Sequence, residues 1–121
     1  MTVDRSKLEE EIFALGDHVR YVAFGFGQDV HTAQQGNVDK PSDQSSDFFE
    51  ELLVNPTLLT IASQRGNLDC GGLSYIVVGY GNFTQVVVPV AEGHVSVCVQ
   101  RGSDAQLMAR QIIDLLDTHT S

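Results

Sequence analysis

The stretch that decides the fold runs LSYIVVGY (73–80), GN (81–82), FTQVVVPV (83–90), AEG (91–93) and HVSVCVQ (94–100). Valine and isoleucine crowd the three longer runs. These side chains lose freedom in helices and pack well on a pleated surface, so the runs read as strands. Gly81-Asn82 and Glu92-Gly93 are turn dipeptides, and Gly81 is expected to supply a positive φ to a two-residue hairpin loop. Strands joined by such short turns pair antiparallel, which makes the stretch a meander. Its first run, Leu73 to Tyr80, carries no charge and no proline. At a sheet edge, Leu73, Tyr75, Ile76, Val77 and Val78 would present an unblunted border that another chain can extend.

Toward the C-terminus, Ser103 and Gln106 stand in capping-box spacing before Leu107, Met108, Ile112, Leu115 and Leu116, a broad apolar face of a final helix. Upstream of the meander lies a helical region in which Phe48, Leu52, Leu59 and Ala62 keep a roughly helical spacing after a possible box at Asp47 and Glu50. Asn55-Pro56 interrupts it, because proline is comfortable only in a first helical turn. Two short segments at a bend are therefore expected, stopping near Gly66-Asn67. Gln35 to Ser46 is polar and reads as an exposed loop.

Further back, Tyr21 to Phe26 reads as a strand covered on both faces. Gly27-Gln28-Asp29 turns it into a more polar strand, Val30 to Gln34. At the start, Ser6 and Glu9 suggest a capping box, Leu8, Ile12 and Leu15 form one apolar stripe, and Gly16 suits a helix stop.

The chain of 121 residues is expected to form one domain, with hydrophobic and charged fractions of 42% and 19% that suit a globular core. Seven basic against sixteen acidic residues give a net charge of −9, a field that repels phosphate backbones and anionic lipid. Neither nucleic acid nor a membrane is an expected partner. Two cysteines make no disulfide framework, the acidic opening residues do not read as a signal peptide, and the cytoplasm is the expected compartment.

The order helix, two strands, helical region, three strands, helix resembles the roadblock/dynein light chain family, related in fold to profilin and longin domains. The carriers are the hairpin Tyr21 to Gln34, the meander Gly72 to Gln100 and the amphipathic last helix, so the resemblance spans about Ser6 to Asp117. A departure is Asn55-Pro56 inside what would be one helix. The resemblance implies an α+β domain, with a single five-stranded antiparallel sheet bearing two helices on one face and the middle helix on the other. It also implies pairing through the middle helix and the following edge strand, and a role as regulator of small GTPases or as scaffold, without chemistry of its own. Edge-strand physics points the same way, to a two-fold homodimer using Leu73, Tyr75 and Val77, with Leu52 and Leu59 as helix contacts.

No residue pattern compels catalysis, and no catalytic, cofactor or metal site is expected. His94 and Cys98 are four apart, but along a strand that separates them by about 13 Å. Cys98 among valines reads as an inert core thiol, whereas Cys70 in a glycine-rich turn reads as the more exposed one. Gly25-x-Gly27 and Gly79-x-Gly81 complete no dinucleotide fingerprint. Glu50-Glu51 is explained by a helical first turn. The competing reading is a small-ligand sensor of PAS or GAF shape, with the long middle segment as a lid. A thiol-based protein relying on Cys70 or Cys98 is a third.

Overall fold

The computed structural model describes residues 4–34 and 44–120. These form α1 (Arg5–Phe13), β1 (Val19–Phe26), β2 (Asp29–Gln34), α2 (Gln44–Phe49), a π-helical turn (Glu50–Val54), α3 (Asn55–Asp69), β3 (Ile76–Gly79), β4 (Phe83–Val90), β5 (Gly93–Gln100) and α4 (Ala105–Thr120). All strand pairs are antiparallel, in the order β2-β1-β5-β4-β3. The expected order of elements and the single five-stranded sheet are both present.

Strand alternation sorts the sheet into two unlike faces. Val22 and Phe24 of β1, Val86 and Val88 of β4, and Val95, Val97 and Val99 of β5 pack with Leu8 and Ile12 of α1 and Met108, Ala109, Ile112 and Leu116 of α4. This is the apolar core, where each buried aliphatic side chain contributes about 1.5–3 kcal/mol. Val19 belongs to it as well, because the register slips between Val19 and Tyr21. The extra residue, Arg20, reverses the alternation there, and the strand begins two residues earlier than the sequence suggests. The opposite face carries Tyr21, Gln85, His94, Ser96 and Cys98 and lies beneath the middle helix.

Several local expectations give way to competing chemistry. The first and last helices are capped by aspartates: Asp4 accepts from the Lys7 N–H at 3.2 Å and Asp104 from the Leu107 N–H at 3.0 Å. A carboxylate favours the positive helix end more than the serines Ser6 and Ser103 expected there. Helix α1 ends at Phe13, before Gly16. Residues 44–46 of the expected loop are helical, and 35–43 lie outside the described residues.

The middle region is one continuous helical run, not two segments at a bend. Proline at 56 would clash with the carbonyl four residues back, and the wider π turn just before it relieves that crowding. The Asn55 N–H then bonds the Glu50 carbonyl. The run passes Gly66-Asn67 and ends at Asp69, where the N–H groups of Cys70 and Gly72 both bond Gly66 O at 3.1 Å.

Strand β3 is a sheet edge, as expected, but it is shorter than Leu73 to Tyr80. Continuing the register of Ile76 opposite Val87 would set Ser74 against Pro89, which has no N–H to donate. The Gly81-Asn82 loop is closed by Tyr80 N–H bonding Phe83 O at 2.9 Å, and Gly81 does not take the positive φ expected of it.

Candidate functional site

The middle helix turns an unusual stripe toward the sheet. Asp47, Glu51 and Asn55 are buried, and only then does Leu59 follow. Glu51, 1% exposed, sits at the centre: its Oε2 accepts from the Tyr21 hydroxyl at 2.9 Å and its Oε1 from Asn55 Nδ2 at 2.9 Å. His94 Nε2 stands 2.8 Å from the same Oε1. Charge-assisted bonds from three directions make this buried carboxyl tolerable. Beside it, Gln85 donates Nε2–H to Ser96 Oγ at 2.7 Å, while Gln85 Oε1 and Asn55 Oδ1 are buried without a hydrogen-bond partner.

Gly25 makes room for this layer. A methyl group there would meet His94 Cε1 at 2.3 Å. Gly25→Ala therefore forces the imidazole off Glu51 and lowers unfolding free energy by about 2–3 kcal/mol, which urea denaturation measures. A loss below about 0.5 kcal/mol would show that the ring moves aside at little cost.

Toward the β3–β4 loop the layer opens into a cleft of about 430 Å³, lined by residues including Asp47, Glu50, Glu51, Tyr80, Phe83 and Gln85. At its rim, the Tyr80 hydroxyl donates to Glu50 Oε1 at 2.8 Å. Burial pushes the Glu50 carboxyl up; the Tyr80 bond pulls it back, while Glu51 and Asp47 push further. Burial and the bond to Glu50 push the Tyr80 hydroxyl up to about 12. Burial, with Glu51 next, raises Tyr21, and burial followed by Glu51, Glu50 and Asp47 raises the Cys98 thiol. Cys98 is thus held as the thiol.

These shifts predict alkaline sensitivity. The unfolded chain releases the Cys98 and Tyr21 protons near their ordinary values of 9.0 and 10.0, where the folded chain still holds them. The unfolded state then binds fewer protons, so stability falls as pH rises above about 9. Urea midpoints at about pH 8 and about pH 10.5 test this, with Cys98→Ala expected to reduce the drop.

The residues named from the sequence are distributed differently. Leu52 lies on the outer surface of the helix, whereas Leu59, 9% exposed, faces the sheet. Val77 on β3 is exposed, and Tyr75 packs partly against the apolar core. Cys70 is exposed and Cys98 buried; Cys70 Sγ approaches Asp69 Oδ1 at 3.2 Å, with Arg65 paired to Asp69. Glu50 and Glu51 are not in a helical first turn but in the π turn within the run. Local spacing does not announce their convergence with Tyr21, Gln85 and His94; the signal the sequence carries for it is the alternation of His94, Ser96 and Cys98 with valines. Among the described residues no group of three or more His, Cys, Asp or Glu is placed to hold a metal ion, and no helix is long and apolar enough to cross a membrane.

No protein-family model matches the chain, and neither does any curated protein. Solved structures do. A roadblock/LC7 domain from Streptomyces avermitilis aligns with a TM-score of 0.68 at 15% identity, covering 93% of this chain and 91% of that one. The gliding protein MglB from Thermus thermophilus aligns at 0.65 with 13% identity, and MglB in a tetrameric arrangement at 0.64 with 12%; each covers 93% of this chain and 85% of the other. Together with the strand order and the two helices set against the apolar face, these alignments establish that the chain has the roadblock fold.

Proposed function

We propose that this protein is a non-catalytic, homodimeric interaction module that regulates or scaffolds a small GTPase. One observation carries the reading: the middle helix buries its polar stripe and turns Phe48, Phe49, Leu52, Leu53, Ile61 and Leu68 outward. A helix that reverses the usual arrangement leaves an apolar surface that calls for a protein partner. The π turn reaches the end of β3 through the Tyr80–Glu50 bond, and the β3 edge carries no charge and no proline, whereas the β2 edge carries Asp29 and His31. A second copy placed by a two-fold axis would join the β3 edges and cover the helix surfaces, using Leu52, Leu73, Tyr75 and Val77, with Leu59 supporting the helix from beneath.

The tetrameric arrangement recorded for MglB is in keeping with self-association. The non-catalytic part rests on Tyr21 and His94 each being bonded to Glu51, and on a buried Cys98 held as the thiol. Two unpaired cysteines suit the cytoplasm. Sedimentation equilibrium at micromolar concentration is expected to give a dimer, and a clean monomer would dispose of the pairing. Pull-down across nucleotide states is expected to recover a small GTPase; recovering none in any state would remove that part.

A further inference from the structure

The cleft beside the β3–β4 loop has a chemistry of its own, independent of the edge-strand dimer. Its polar lining accepts hydrogen bonds more than it donates them: Asp47, Glu50 and Glu51 contribute carboxyl groups, and the two tyrosine hydroxyls already donate to Glu50 and Glu51. Gln85, 1% exposed, lines the same cleft with Oε1 buried and unpartnered. An unmatched acceptor in such a place costs free energy that a bound donor would recover. Tyr80 and Phe83 form an aromatic wall, ring centroids 5.3 Å apart and tilted 51°. The Phe83 ring already attracts a guanidinium, since Arg20 lies 5.9 Å from its centroid without lining the cleft.

We propose that this cleft is a binding site for a guanidinium group, carried by a small guanidino compound or by an arginine side chain of another protein. Of the biological cations, guanidinium is the planar, weakly hydrated one with several donors in a fixed fork, able to stack on an aromatic face while bonding a carboxylate. An alkylammonium is more strongly hydrated and has no flat face for the Tyr80–Phe83 wall. Burial is the main cause that raises the Glu50 carboxyl, with Glu51 and Asp47 adding to it, and a cation bound beside these acids would offset that penalty.

Isothermal titration with agmatine and with a short arginine-bearing peptide tests the site on the full chain. Binding of agmatine identifies a small-molecule site, and binding of the peptide alone identifies a protein donor; either supports the assignment. Glu50→Gln, at the partly exposed rim, is expected to weaken binding by about tenfold or more through loss of a charge-assisted bond. Glu92→Gln, away from the cleft, should leave it unchanged. Circular dichroism confirms that both variants are folded. Absence of heat with both probes, or equal weakening by the two substitutions as for diffuse attraction to an acidic protein, would overturn the proposal.

Discussion

Replacing Glu51 by alanine lowers the unfolding free energy by about 3–5 kcal/mol, the largest single-residue effect expected in this chain. The carboxyl accepts from Tyr21 and Asn55 and pairs with His94, itself 3% exposed. Removing it strands three buried polar groups at once and leaves a void under the helix, so desolvation penalties add to lost packing. A small domain has only about 5–15 kcal/mol in total, so the variant is close to its limit. Urea denaturation should show a lower midpoint with an unchanged slope, the signature of lost stability in a native state of similar compactness. Glu51→Gln keeps one acceptor but sets an NH2 against donors, and is expected to fall between wild type and alanine. A midpoint change worth less than about 1 kcal/mol for Glu51→Ala would mean that water or rearranged side chains satisfy the layer without it.

Charge placed on the proposed dimer surface separates the copies. Val77 is 41% exposed on the β3 edge and Leu53 56% exposed on the π turn, so lysine at either position is solvated in a monomer and costs little folding stability. In a two-fold interface each lysine is introduced twice and is buried or brought near its own symmetry mate. Val77→Lys with Leu53→Lys is expected to raise the dimer dissociation constant by at least about a hundredfold, leaving monomer at micromolar concentration in sedimentation velocity. The thermal unfolding of that monomer, compared at equal concentration, separates the effect on association from an effect on the fold. If the double variant sediments as the wild type does, the copies meet elsewhere and the edge-strand arrangement is lost.

The Gly25 and Glu51 variants probe the same layer from opposite sides. Because they share His94, their effects should be less than additive, and a double variant measures that coupling. The dimer variants lie on the β3 edge and on the outer surface of the helix, away from the Glu51–His94 layer, so they should combine with Gly25→Ala nearly independently.

The succession of helices and strands along the chain and the apolar core are legible in the residues alone. Val86, Val88, Val95, Val97 and Val99 sit at alternate positions, and a period of two can bury them on only one face of a sheet. Leu8 and Ile12, and Met108, Ile112 and Leu116, repeat at helical spacing and have no other surface to cover. Which way the middle helix faces follows from contacts distant in the chain. Its apolar spacing, Phe48, Leu52, Leu59 and Ala62, leaves open what those side chains meet. Toward the sheet the helix turns Asp47, Glu51 and Asn55, with Leu59 after them, because the sheet surface beneath it presents Tyr21, Gln85, His94 and Ser96. That preference is set by partners 30 to 43 residues distant in the chain. A helical period records only that one stripe is apolar; whether it meets the protein's own sheet or another molecule depends on what the rest of the fold places opposite it.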